Sequence, residues 1–153
     1  SLDTSGQLND VTVKPLGSFD LPSIRGIAQV SFDKVWTEKE FAYFVEHESG
    51  FCWGAFFQGR LIGYFLGLLV LGELDIVSIA VAKEFRRCSV GETLLDCVLG
   101  LPSVNKAFLE VESDNLPAIR LYEKRGFKQY GVRKKYYAGI KDAVLMKKEK
   151  CLK

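Results

Sequence analysis

At 153 residues, with 48% apolar and 26% charged residues, the chain has the composition of one soluble globular domain with room for a proper core. A net charge of +2 is too small to argue for nucleic acid as a partner. Four cysteines, Cys52, Cys88, Cys97 and Cys151, show no CxxC pair and no metal-like spacing with the single His47, so reduced thiols in a cytoplasmic protein are expected and no metal site.

Residues 1–10 are polar and lack periodicity, which predicts a flexible tail; residues 11–150 are expected to form a single domain, with no repeat or linker. Val11 to Leu16 reads as a short strand ending at Pro15, and residues 20–34 are weakly helical. Thr37-Glu38-Lys39-Glu40 is a capping-box pattern that predicts a helix to near Glu48. Phe51 to Phe57, Leu61 to Leu71 and Leu74 to Val81 then read as an antiparallel meander, with a turn at Gln58-Gly59. The run from Leu61 to Leu71 is broken by Gly63 and Gly67 and is too short to span a bilayer; nothing before it reads as a signal peptide, and no membrane association is expected.

Phe85 to Gly91 is a loop leading into a helix that ends near Gly100-Leu101-Pro102, because proline cannot continue it. Ala107 to Glu112 is a strand, and Asn115 to Arg125 is a helix with Pro117 in its first turn and Gly126 just past its end. Phe127 to Arg133 and Ala143 to Lys147 close the domain as strands, giving the order β-α-α-β-β-β-α-β-α-β-β and a mixed α/β sheet.

Two stretches carry chemistry. The helix starting near Ser89 offers unpaired N–H groups and the positive end of its dipole to an anion. Gly91 allows close approach, and Arg86 and Arg87 add charge at the entrance. Alone, a glycine in such a turn with two arginines is also ordinary structure. In the second stretch, Glu110 sits mid-strand, and alternation puts Phe108, Glu110 and Glu112 on one face and Leu109 and Val111 on the other. A carboxylate there must face solvent or a cleft, since unpaired burial is costly. Asn115 is a favoured helix N-cap, and Tyr122 shares a helix face with Ile119, as a core aromatic does.

The segment Arg86-Arg87-Cys88-Ser89-Val90-Gly91 resembles the Arg/Gln-x-x-Gly-x-Gly/Ala signature of the GCN5-related N-acetyltransferases (GNAT), and Ile79-Ala80-Val81 resembles the strand before it. Ser89 departs from the pattern: if the position requires positive φ, serine introduces local strain. The stretch from Leu109 to Phe127 resembles the strand–helix unit of the family's protein N-terminal acetyltransferases, especially the bacterial ribosomal-protein alanine N-acetyltransferases (RimI type). The resemblance covers residues 11 to 148. It implies a mostly antiparallel sheet flanked by helices and split by a V-shaped cofactor cleft, where the strands at 74–81 and 107–112 diverge. It implies acetyl-CoA as donor, no metal, and a protein N-terminus, such as that of a ribosomal protein, as acceptor. It puts the pyrophosphate at Arg86 to Gly91, with Ile79, Val81 and Asn115 as further cofactor contacts. Tyr122 would contact the cofactor and serve as general acid for its sulfur, and Glu110 as base. Glu73 is a second candidate base or substrate residue, and Tyr136 and Tyr137 would hold the substrate's first residues.

An α-amine has a pKa near 7.7–8.0 against about 10.4 for lysine, so roughly a tenth to a third of α-amines are neutral near pH 7. A modest carboxylate base is then adequate. A lysine or small-molecule acceptor stays open as an alternative, as does a CoA-binding module without catalysis, which Ser89 suggests.

Overall fold

The computed structural model describes residues 8–137 and 141–150, except for the side chains of Tyr136 and Tyr137. The strands are β1 (Thr12–Pro15), β2 (Gly50–Phe57), β3 (Arg60–Val70), β4 (Glu73–Val81), β5 (Lys106–Glu112), β6 (Lys128–Tyr137) and β7 (Lys141–Glu149). The helices are α1 (Leu21–Ser31), α2 (Glu38–Glu46), α3 (Val90–Leu99) and α4 (Leu116–Lys124). One seven-stranded sheet runs in the order β1-β2-β3-β4-β5-β7-β6.

Local signals set most boundaries. Thr37 Oγ1 accepts the Glu40 N–H at 3.2 Å, and Glu40 returns a carboxylate oxygen to the Thr37 N–H at 3.2 Å, so the capping box starts α2. The helix stops at Glu46, short of the expected Glu48, because His47 turns to extended backbone. Gln58-Gly59 has φ of 50° and 78°, the left-handed pair of a tight hairpin. Asn115 accepts the Ala118 N–H to start α4, and Gly126, at φ 91°, follows its end.

Two apolar cores sandwich β2–β4. On one face α1 and α2 contribute Ile24, Ile27 and Phe41 against Tyr64, Leu66 and Ala80. On the other, Leu94, Leu95 and Val98 of α3 meet Ile62, Phe65 and Leu74. That second core continues under β5 and β7 through Leu109, Val111, Val144 and Met146 to Ala118, Ile119 and Tyr122 of α4. β5 alternates between buried and half-buried residues, as its sequence predicts.

The sheet splits in its middle. β4 and β5 run parallel and pair only from Glu73–Lys106 to Asp75–Phe108. β4 then stays with β3, and β5 pairs antiparallel with β7 along its length. The gap expected between the two strands is therefore present.

One expectation needs correction. The last hairpin is longer than predicted: β6 runs on to Tyr137 and β7 from Lys141, so Tyr136 and Tyr137 belong to a strand rather than to the stretch between the two predicted strands. Arg133 pairs with Ala143 and Tyr137 with Lys141, and Lys134 and Lys135 fall in the irregularity between them, where no apolar alternation marks the strand. Leu8, within the stretch expected to be a flexible tail, packs against the α3-side core; residues 1–7 lie outside the described residues.

Candidate active site

Where β4 and β5 part, a cleft of about 620 Å³ opens. Its walls are Ser78 and Ile79 of β4, Glu110 and Glu112 of β5, Asn115 at the cap of α4, and Tyr122 of α4. Phe32, Val35 and Trp36, from the segment joining α1 to α2, close one side. Two residues named for chemistry from sequence, Glu110 and Tyr122, thus share one cleft with Asn115 and Ile79.

Glu110 is half-buried and accepts a 2.6 Å hydrogen bond from the Arg133 guanidinium of β6, which fixes its carboxylate on the wall. Glu112, two residues on, pairs with Lys141 at 3.2 Å. Tyr122 packs edge-on against Phe127 at 5.6 Å, and its carbonyl accepts the N–H groups of Arg125 and Phe127, each at 3.0 Å. Those contacts anchor the end of α4 and hold the phenol half-buried. The same Asn115 that caps α4 also lines the cleft.

The opposite wall carries a polar couple that the sequence reading missed. Tyr64 is fully buried, yet its hydroxyl lies 3.0 Å from the Ser78 hydroxyl. Burial pushes the phenol's pKa up, so the group stays protonated. The available signal was a tyrosine inside an otherwise apolar run.

The phosphate loop follows the end of β4. Arg86 turns back: its Nε donates to the Val81 carbonyl at 3.3 Å and its guanidinium to Ser31 Oγ at 3.1 Å, tying β4 to α1. Arg87 and Ser89 both adopt left-handed backbone, at φ 66° and 62°. Glycine is favoured at the Ser89 position for that reason, and serine carries a strain of about 1 kcal/mol. Cys88, between them, packs against the core. The Ser89 carbonyl accepts both the N–H and the hydroxyl of Thr93 at 2.9 Å, but its side chain does not cap α3. The amides of Val90, Gly91 and Glu92, in the first turn, have no intrahelical acceptor. A Cβ built at Gly91 would meet only Val81 Cγ2, at 3.7 Å, so the backbone there is open to close approach. Left-handed turns, free first-turn amides and an uncovered glycine fit a pyrophosphate.

Not every sequence-predicted residue arrives. Glu73 opens β4 opposite Lys106, at the closed end of the split, and does not line the cleft. Ser78 lies five strand steps further on, roughly 16 Å away. The backbone of Tyr137 pairs with Lys141, while the side chains of Tyr136 and Tyr137 lie outside the described residues.

The acetyltransferase (GNAT) family profile matches residues 21–127. The chain is 31% identical to the [ribosomal protein bS18]-alanine N-acetyltransferase of Escherichia coli, over 88% of this chain and 95% of that one. It is 36% identical to an N-alpha-acetyltransferase of Sulfurisphaera tokodaii, over 68% of this chain and 74% of that one. The crystal structure of the ribosomal-protein-S18-alanine N-acetyltransferase from Escherichia coli superposes with a TM-score of 0.87 at 29% identity, covering 94% of this chain and 96% of that one. The chain belongs to the GNAT family: it is an N-acetyltransferase, an acyltransferase that draws on acetyl-CoA.

Proposed function

We propose that this enzyme acetylates the α-amine at a protein N-terminus, with a ribosomal protein as the acceptor class. The observation that carries the reading is the meeting of Glu110 and Tyr122 in one cleft at the split of the sheet. The names of the two relatives, one acting on a ribosomal alanine and one an N-alpha-acetyltransferase, support the acceptor.

Acetyl-CoA, when bound, supplies an activated acetyl thioester. The first-turn amides of α3 and the loop from Arg86 to Ser89 hold its pyrophosphate, with Asn115, Ile79 and Val81 along the gap. Glu110 accepts the proton that the amine loses, directly or through one water, and Arg133 keeps the carboxylate in place for it. The Tyr122 hydroxyl gives its proton to the departing sulfur. A carboxylate suffices for an α-amine because a sizeable fraction of that amine is already neutral near pH 7. Tyr136 and Tyr137, on the β6 end of the hairpin, hold the acceptor's first residues.

The test is thiol release from acetyl-CoA with two peptides. One has a free N-terminal alanine and no lysine; the other has a blocked N-terminus and one internal lysine. Release with the first alone is expected. Release with the second alone overturns the α-amine reading, and release with neither favours a small-molecule amine or a binding module.

A further inference from the structure

The start of α3 carries a charge opposed to its proposed role. Glu92 stands in the first turn of α3, roughly 5 Å or less along the axis from the amides assigned to the pyrophosphate. A carboxylate there suits the helix dipole but repels a bound polyphosphate. At that range, and at a dielectric near that of a protein surface, the repulsion is worth about tenfold in affinity.

Arg125, the C-cap of α4, answers this charge. Its guanidinium donates to Glu92 Oε2 at 2.8 Å, and its Nε donates to Asp96 Oδ1 at 3.2 Å, one turn further along α3. The Arg125 side chain is 20% exposed and that of Glu92 42%, so bulk ions screen the contact in part. The Arg125 N–H also donates to the Tyr122 carbonyl.

We propose that Arg125 is a positioning residue for donor binding. It compensates Glu92, so the pyrophosphate of CoA meets the α3 amides without an opposing charge, and it ties the α4 end that bears Tyr122 to α3. The inference rests on the assignment of the pyrophosphate to α3 made above.

CoA binding to the full chain, measured by titration calorimetry at low salt, tests it. Arg125→Ala should weaken CoA binding about tenfold, and less at high salt. Adding Glu92→Gln to Arg125→Ala should restore affinity to within about twofold, because the repelling charge is gone. The bridge is broken in both variants, so a merely structural role predicts that the double variant stays as weak as the single. Acetyl-pantetheine, which lacks the pyrophosphate, should bind all variants alike. Where Arg125→Ala does not fold, Arg125→Gln carries the same predictions. Parental CoA affinity in the Arg125 variant, or no recovery in the double, overturns the proposal. Parent protein that binds CoA no better than pantetheine removes the pyrophosphate from α3 and the underlying reading with it.

Discussion

Strands β2–β4 are covered on both faces, by α1 and α2 on one and α3 on the other, and the groups inside are neutral. Burial pushes the Cys52 thiol up to about 12 and raises Tyr64 as well. Strands β5, β7 and β6 bury the side bearing Leu109, Val111, Val144 and Met146, and carry partly exposed ion pairs on the other: Glu110–Arg133 and Glu112–Lys141. The cleft lies where these halves part. An apolar wall with one hydroxyl couple faces a wall whose carboxylates are partly exposed and paired with cations. Among the described residues that line the cleft, the carboxylates, Glu110 and Glu112, come from the second half; the first supplies shape.

That division of labour predicts unequal walls. Glu110→Gln should lower turnover by about 100-fold or more with CoA affinity unchanged. Ser78→Ala, on the opposite wall, should cost only a few-fold. Steady-state kinetics on both, at saturating acetyl-CoA, checks this; equal losses would end the distinction.

The halves should also differ in their response to pH. Cys52 holds its proton up to about 12 in the folded state, against an ordinary 9.0. Stability is therefore whole below pH 9 and falls above it, by roughly 2 kcal/mol at pH 10.5, because the unfolded thiol ionises first. Tyr64 adds in the same direction. Chemical denaturation between pH 8 and 11 should show the slope, and Cys52→Ala should flatten it. In the other half, the Lys135 N–H donates to Asp142 at 2.8 Å and, with Lys134, holds that carboxyl below its usual range. Its contribution is present at neutral pH and lost on acidification. The β6–β7 hairpin should therefore exchange its amides faster as pH falls through the carboxylate range, once the intrinsic pH dependence of exchange is removed.

The smallest expected effect concerns the loop between the halves. Ser89→Gly should stabilise the protein by about 1 kcal/mol in thermal unfolding, by releasing the left-handed serine. CoA affinity should change little, since the first-turn amides assigned to the pyrophosphate are kept.

The sequence reading reached the β5–α4 unit closely because each of its signals is local. Alternation sets the β5 faces, and Asn115, Pro117 and Gly126 mark the ends of α4. The same holds for the Thr37 capping box. What it missed depends on partners far along the chain. Tyr64 meets Ser78 across 14 residues, Arg133 meets Glu110 across 23, and Arg125 meets Glu92 across 33. No local pattern encodes those distances. The insertion of β7 between β5 and β6 is equally non-local, and it carries the polar end of β6 into the sheet. The position of Glu73 is also non-local: its parallel pairing with Lys106 puts that end of β4 at the closed end of the split.

The most direct test of the account is to measure the turnover and the CoA affinity of Tyr122→Phe side by side on one preparation. The account predicts a turnover loss of about 100-fold or more with CoA affinity within about twofold of the parent, because the ring and its packing on Phe127 are kept while the proton is lost. Unchanged turnover, or turnover and affinity falling together, would contradict it.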